Sequence, residues 1–277
     1  MNSEMALEEV KDEVLRKIGR NLLLFQQVEH MLKFLIANGQ ISGYASDISK
    51  SSERRAVVVH KQTMGQLVGQ FLENTYSDVQ EGAQEPEELE DIYFSFSFKI
   101  ESDADYFDTK SQALASIITD RNELIHHFLP RFNPESLSSC LENDKFLEQQ
   151  KDKLIPEIEQ LKGLVEALDK GKKQLAEFLG SEAGKAELKY LFLKNSSLSV
   201  ILQDIALQSV NSGGWVNLSS AGRLIRKRMP REIEGLKEMY GHSTLKGFLL
   251  ATELFDTYEE PTKKGGFRFL YRLKPCA

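Results

Sequence analysis

The sequence predicts a mainly α-helical protein of two domains: an N-terminal helical bundle with a short β-hairpin, and a smaller C-terminal domain of helices and strands. Apolar residues recur at three- and four-residue steps through most of residues 1–180, as expected of amphipathic helices. Glycine, asparagine and serine between residues 180 and 197 break this pattern. We therefore place the first domain at 1–180, a linker at 181–197 and the second domain at 198–277.

The distribution of charge indicates what each domain can bind. Residues 197–277 contain 12 Lys or Arg and 8 Asp or Glu, a net charge of +4. Because the whole chain has a net charge of −7, residues 1–196 carry a net charge of −11. We therefore expect the C-terminal domain to bind a polyanion. The N-terminal domain must approach a nucleic acid through a local groove rather than through its overall field.

The composition excludes several classes of protein. At 277 residues, 41% hydrophobic and 28% charged, the chain is globular rather than disordered. Its acidic start lacks the features of a signal or transit peptide, and no apolar run approaches the ~20 residues of a membrane span, so we expect a cytoplasmic protein. The two cysteines, Cys140 and Cys276, are too few for a metal cage or disulfide framework, and there is no glycine-rich phosphate loop. No metal and no cofactor are predicted.

The first domain begins with a predicted pair of helices over residues 7–38 and 57–74, separated by a glycine-containing break at 39–43. Residues 73–91 then carry eight acidic side chains and no Lys or Arg, which predicts a solvated, mobile loop. An alternative is a nucleic-acid mimic that covers a groove.

A strand is predicted next, because residues 92–100 alternate apolar and polar side chains with a two-residue period. The polar run 101–105 then predicts the turn of a short hairpin. We expect its aromatic side chains to pack in the core.

Helical spacing returns over residues 111–128, where Thr109 or Ser111 is the candidate N-cap and Pro130 ends the pattern. One or two long helices are predicted over 146–178, with Pro156 as a candidate kink.

Three polar residues on the helix over 111–128 can perform chemistry. Arg121 falls on the centre line of its apolar stripe, while Asn122 and His126 lie within about 40° of each other on the flank, and His127 points away. A histidine can take the proton of a ribose 2′-hydroxyl, an arginine can hold the scissile phosphate, and an asparagine amide can orient either partner. This chemistry requires no metal ion.

The run from Arg121 to His126 resembles the Arg-x4-His motif, with asparagine after arginine, of the HEPN superfamily of all-α domains. That family is found in many prokaryotic toxins and defence ribonucleases. The resemblance implies that Arg121, Asn122 and His126 are catalytic and that the helical domain forms a homodimer with its groove between two such helices. An antitoxin or other protein is a further candidate partner, and the sequence does not reveal what restrains the activity.

A structural role for Arg121 is the alternative. Glu29 lies between Phe25 and Leu32 on an apolar stripe of the first helix, so each stripe carries one charge of opposite sign. A lone buried charge costs several kcal/mol, so we expect either a Glu29–Arg121 ion pair or an Arg121 that faces a second subunit.

The C-terminal domain is predicted to be a winged helix-turn-helix. A helix over 199–207 precedes a turn and short strand at 213–218, a helix over 221–227 capped by Ser219 or Ser220, and helices over 230–241 and 244–255. A strand pair over 261–271 completes the order.

Several short runs in this domain resemble the OST-HTH, or LOTUS, domain across about residues 198–273. They are Gly214–Leu218, Leu224–Ile225, Tyr240–Gly241, Leu245–Leu249 and Leu254–Phe255. The resemblance implies an RNA-binding module for structured RNA such as G-quadruplex or duplex. Residues that contact a helicase in that family are not identifiable in this chain.

Two basic clusters are predicted to flank a phosphate track, giving salt-dependent affinity without base choice. They comprise Arg223, Arg226, Lys227, Arg228 and Arg231 at a helix end, and Lys263, Lys264 and Arg268 on or near the strand pair. The alternative for the first cluster is a solvated helix face. Trp215 is expected in the core rather than as a stacking platform.

These features together predict a metal-independent endoribonuclease that its C-terminal domain directs to structured RNA. The main alternative is a non-catalytic RNA-binding adaptor whose helical domain serves dimerisation or partner recruitment. A DNA-binding regulator is a third hypothesis, because winged helices commonly bind DNA.

Overall fold

The computed structural model of the chain describes residues 2–44, 47–76, 93–209, 214–262 and 265–275. These residues are mainly helical, with two small antiparallel sheets, which confirms the predicted mainly α fold class. They divide into two compact units, the first extending to Lys173 and the second beginning at Gln174. The predicted acidic loop lies largely outside the described residues, as do Lys263 and Lys264.

The first unit is a helical bundle with one two-stranded sheet. Its elements are α1 (Asn2–Gly39), β1 (Gln40–Tyr44), α2 (Ile48–His60), α3 (Met64–Tyr76), β2 (Tyr93–Ser97), α4 (Ala104–Asn122), a π-helical turn (Glu123–His127), α5 (Phe128–Arg131) and most of α6 (Leu137–Gly180). Helices α1, α3, α4 and α6 share one buried core, to which they contribute Leu32, Phe71, Ile117 and Leu161 respectively.

The predicted second helix, 57–74, is wrong in one respect, because the structure contains two helices there. Thr63 and Gln66 form a capping box at the start of α3: the Gln66 backbone N–H donates to Thr63 Oγ1 at 3.4 Å, and the Thr63 backbone N–H donates to Gln66 Oε1 at 2.9 Å. This exchange satisfies donors that an unbroken helix would use internally, so a new helix starts at Met64.

The predicted hairpin after residue 100 is also wrong. Strand β2 pairs antiparallel with β1, far away in sequence, in a register that places Gln40 opposite Ser97. The polar run expected to form the hairpin turn instead begins α4, because the Asp103 carboxylate accepts a hydrogen bond of 2.8 Å from the Tyr106 backbone N–H. Asp103 therefore replaces Thr109 and Ser111 as the N-cap.

The second unit combines short helices with a three-stranded antiparallel sheet of order β3-β5-β4. Its elements after α6 are α7 (Glu182–Asn195), α8 (Ser197–Gln208), β3 (Val216–Asn217), α9 (Leu218–Arg228), α10 (Pro230–Glu234), α11 (Leu236–Tyr240), α12 (Leu245–Ala251), β4 (Phe255–Pro261) and β5 (Phe267–Leu273). Leu202, Ile225, Phe248 and Tyr271 form the centre of its core.

Several details of this unit differ from the predictions, including the end of the predicted helix over 244–255, which the structure places at Ala251. The predicted linker, 181–197, is instead occupied by helix α7 and the first residue of α8. Ser181 caps α7, and Leu193 is buried in the second core. Asn217 caps α9 in place of Ser219 or Ser220, its Oδ1 accepting from the Ser219 backbone N–H at 2.9 Å. The predicted helix over 230–241 is interrupted at Gly235.

The connection between α6 and α7 depends on a glycine. A Cβ atom at Gly184 would lie 1.9 Å from the Phe178 carbonyl oxygen, whereas a Cβ at Gly180 would meet nothing within 4 Å. We expect Gly184→Ala to destabilise the second unit by about 1–3 kcal/mol, because backbone must move to admit the methyl group. The fluorescence of Trp215, the one tryptophan of the chain, measures this unfolding. Gly180→Ala is the matched control, and equal stability of the two variants would contradict the expectation.

Candidate active site and nucleic-acid interface

Arg121, Asn122 and His126 lie where α4 passes into the π-helical turn. In an α-helix, residues five apart point about 140° away from each other, and the wider turn closed by i→i+5 hydrogen bonds reduces that angle. Arg121 is partly buried, and Asn122 and His126 are exposed. The turn therefore directs the arginine and the histidine more nearly to one side of the helix than the predicted α-helix would.

Arg121 contacts Asn122 rather than the predicted Glu29. Its Nη1 donates to Asn122 Oδ1 at 3.2 Å, and Glu29 is paired with Lys33 of its own helix at 2.7 Å. The prediction of a Glu29–Arg121 ion pair is wrong because Val14, Phe25, Val28 and Leu32 form the buried line of α1 and leave Glu29 at its edge. Within the described ranges no carboxylate pairs with Arg121, so its guanidinium is available to an anion.

His126 is the least constrained of the three. Its ring meets the ring of His127 edge-on, with centroids 6.3 Å apart, and no hydrogen bond to it is found among the described residues. The structure therefore joins Arg121 to Asn122 directly at the end of α4. It places His126 on the π turn that follows, with no hydrogen bond to either residue among the described contacts.

A buried polar chain fixes the backbone just before Arg121. Asn21 of α1 donates through Nδ2 to Gln150 Oε1 of α6 at 3.2 Å, and Gln150 Nε2 donates to the Asp120 carbonyl oxygen at 2.8 Å. Asn21 and Gln150 are both almost completely buried, so these hydrogen bonds compete little with water. Lys153 adds an ion pair of 2.9 Å to the Asp120 carboxylate. Two helices, α1 and α6, thus hold the end of α4 in one register.

The C-terminal end of the π turn is held by Arg131. Its guanidinium lies 4.1 Å from the centroid of the Phe146 ring in α6, and its Nη1 lies 3.4 Å from Glu123 Oε2. Together with the buried chain at Asp120, this contact anchors both ends of the segment that carries Asn122 and His126.

An exposed apolar surface lies beside the three polar residues. Ile125 is 43% exposed and Leu129 is 82% exposed, and they are four positions apart, at the spacing that places two side chains on one helical face. The two side chains form a small exposed apolar pair close to His126 in sequence.

Sequence reasoning missed the ion pair that the bundle does bury. Lys110 of α4 pairs with Glu157 of α6 and also donates to Gln160 Oε1 at 2.7 Å, and the Lys110 side chain is 3% exposed. Lys110 precedes Leu114 by four positions and Ile117 by seven, which places it on the buried stripe. That spacing was the available signal, but the predicted helix began one residue too late to include Lys110.

Helix α9 and its continuation present a basic surface on the second unit. Arg223, Arg226, Lys227, Arg228 and Arg231 are all exposed, and no ion pair to any of them occurs in the described part of the chain. Arg268 on β5 does have an ion-pair partner, because its Nη1 lies 3.7 Å from Glu260 Oε2. Since Lys263 and Lys264 are outside the described residues, the second predicted basic cluster is represented by Arg268 alone.

A shallow cleft of about 450 Å³ opens between α9 and the residues that lead into α12. Leu218, Leu236 and Leu245 contribute apolar side chains, and Arg223 and Arg226 contribute the charges. This cleft was not predicted, because it forms between segments about 20 residues apart in sequence.

Trp215 lies just before β3 and is partly buried. The Arg272 guanidinium is 4.8 Å from the centroid of its ring, and Tyr258 meets that ring edge-on at 6.1 Å. Asp256 accepts from Arg272 at 3.0 Å, so this arginine is already neutralised. Trp215 therefore packs among the side chains of the sheet rather than in the centre of the core.

Comparisons of the chain with models of protein families, with curated proteins and with solved structures found no match. Among the described helices, none is both long enough and apolar enough to span a membrane. The function is therefore inferred from the residues of the two sites and from their geometry.

Proposed function

We propose that this protein is an RNA-binding endoribonuclease whose cleavage chemistry is carried by Arg121, Asn122 and His126 and needs no metal ion. The observation that carries the proposal is the position of these residues where the anchored end of α4 passes into the exposed π turn. There the Arg121 guanidinium is bonded to Asn122 and pairs with no carboxylate in the described ranges. π-helical turns occur frequently at functional sites. The motif also resembles that of HEPN ribonucleases.

In the proposed reaction, His126 acts as the general base and takes the proton of a ribose 2′-hydroxyl. The 2′ oxygen attacks the adjacent phosphorus, and the bond to the 5′ oxygen breaks, that oxygen taking a proton from solvent. Arg121 stabilises the charge that develops on the phosphate, and Asn122 orients Arg121 through their hydrogen bond. The products are a 2′,3′-cyclic phosphate and a 5′-hydroxyl.

A second copy of the chain is the proposed cover for Ile125 and Leu129. Both side chains lie within three residues of His126 in sequence and are exposed in the single chain, Ile125 by 43% and Leu129 by 82%. A homodimer with this face at its interface would bury them and bring two copies of the polar triad to one groove, as the resemblance to the HEPN superfamily implies.

The second unit is proposed to be a winged-helix module, resembling the OST-HTH domain, that binds structured RNA through the basic surface of α9. The exposed cations of α9 supply phosphate contacts, and each contact releases counterions when it forms.

The salt dependence of binding tests this surface. We expect Arg228→Gln to weaken RNA binding and to reduce the slope of log K against log salt concentration by about 0.7–0.9, as for the loss of one phosphate contact. Lys237→Gln removes an exposed charge from α11, outside the basic surface, and is the matched control. Equal slopes for the wild type and Arg228→Gln would exclude a phosphate contact at Arg228.

A non-catalytic RNA-binding adaptor is the second candidate function. It is favoured by the free His126 ring, because a general base is usually held by a second group and no hydrogen bond to this ring occurs among the described residues.

One experiment separates the two functions. Purified full-length protein is incubated with total RNA and with a quadruplex-forming RNA in the presence of EDTA, and both binding and cleavage are measured. Cleavage under these conditions supports the ribonuclease. Binding without cleavage supports the adaptor and rejects the ribonuclease.

A further inference from the structure

The cleft beside α9 combines an apolar floor with a charged rim. Leu218 and Leu236 in its lining are buried residues of the second core, and Leu245 closes one side. A Cβ atom at Gly222 would lie 3.4 Å from Leu245 Cδ2, so the absence of a side chain at Gly222 keeps this part of the cleft open.

The rim carries positive charge that nothing in the described chain neutralises. Arg223 and Arg226 line the cleft and are exposed, and Arg223 donates only to the Ser220 hydroxyl, at 3.3 Å. By contrast, Arg268 and Arg272 on the sheet of the same unit pair with carboxylates. The two cleft arginines are therefore available to an anionic ligand.

Hydroxyl groups complete the lining. Ser219, Ser243 and Thr244 reach the cleft, and Thr244 Oγ1 accepts from the Gly247 backbone N–H at 3.0 Å, which leaves its own proton free to donate. Hydroxyl groups can donate to or accept from the polar edge of a heterocyclic base.

We propose that this cleft holds one unpaired nucleotide of a bound RNA, with its base against the leucine floor and its phosphate between Arg223 and Arg226. The volume of about 450 Å³ falls in the range of sites for small ligands and suits one nucleotide rather than a helix. Sequence-specific RNA recognition usually depends on bases that are splayed out of the duplex, and a concave site accepts such a base. The inference rests on the proposed RNA binding and adds that a bulge or loop is the preferred target.

Binding of three hairpin RNAs tests the proposal, using the full chain with His126→Ala so that the probes are not cut. The hairpins are identical except that one is fully paired, one has a single unpaired nucleotide, and one has an abasic unit at that position. We expect the bulged hairpin to bind about tenfold more tightly than the other two.

Two cleft variants and one control test whether the preference for the bulged hairpin arises in the cleft. Gly222→Leu fills the cleft without changing charge, so it should bind all three hairpins with the affinity of the paired one. The double substitution Arg223→Gln with Arg226→Gln alters only exposed side chains and should also remove the preference, together with part of the overall affinity. Arg228→Gln lies on the same helix outside the cleft lining and should weaken binding to all three hairpins while keeping the preference.

The outcomes distinguish this inference from the function on which it rests. Equal binding of the three hairpins by the protein would overturn the nucleotide cleft while leaving RNA binding intact. A preference that survives in both cleft variants would place the recognition elsewhere and also overturn the inference. Failure to bind any hairpin would reject the proposed RNA binding itself.

Discussion

Replacing His126 with alanine is expected to lower the rate of RNA cleavage by about 10²–10⁴-fold, because general-base catalysis contributes an acceleration of that size. RNA affinity should not change, since the basic surface of α9 is untouched. The fold should also be retained, because the His126 side chain is exposed. Single-turnover cleavage of a labelled RNA measures the rate, and an electrophoretic shift measures the affinity.

His127→Ala is the matched control, because the two histidines are adjacent, exposed and on the same π-helical turn. Its cleavage rate should stay within a few-fold of the wild type. A loss of the same size in both variants would mean that the turn as a whole is disturbed, and unchanged cleavage by His126→Ala would remove His126 from the mechanism.

Replacing Lys110 with methionine is expected to have the largest effect on stability. The substitution leaves Glu157 buried without its ammonium partner, and breaking a buried pair in this way costs about 3–5 kcal/mol. For a unit of this size, that loss lowers the melting temperature by roughly 6–20 °C. Far-ultraviolet circular dichroism follows the helices of both units, while the fluorescence of Trp215 reports on the second unit. A circular-dichroism transition without a fluorescence change therefore assigns the loss to the first unit.

Two further variants show whether the loss comes from the unpaired charge. The double substitution Lys110→Met with Glu157→Leu should recover most of the stability, because replacing a buried ion pair with apolar side chains is often neutral. Lys153→Met removes a partly exposed pair with Asp120 and should cost no more than about 1 kcal/mol. A double variant as unstable as Lys110→Met would show that the methionine itself does not fit.

The elements that depend on local periodicity were predictable from the sequence. Helix α1 follows its apolar repeat closely, and the elements of the second unit follow the predicted chain order apart from the additional breaks. The strand pair β1–β2 was missed because five-residue strands joined by the 48 residues 45–92 leave no local signal of their pairing. The break before α3 did have a signal, the Thr63–Gln66 capping box, which the apolar pattern obscured.

The candidate active site was located by its residues, but its surroundings were not predictable. A helical wheel assumes 3.6 residues per turn, whereas the chain widens into a π turn at Glu123. The expectation that two charges on apolar stripes would pair holds for Lys110 and Glu157, not for Arg121 and Glu29. Which charged side chains are buried depends on the rotation of each helix about its axis in the bundle. A rotation equivalent to one residue is enough to exchange a buried position for an exposed one.

Identifying the ends of the RNA fragments produced in EDTA tests the central claim most directly. Wild-type protein should leave a 2′,3′-cyclic phosphate and a 5′-hydroxyl, because the nucleophile is the ribose 2′ oxygen that His126 deprotonates. Fragments with a 3′-hydroxyl and a 5′-phosphate would show that water is the nucleophile and would contradict the proposed roles of His126, Arg121 and Asn122. RNA that is bound but left intact would contradict the ribonuclease altogether.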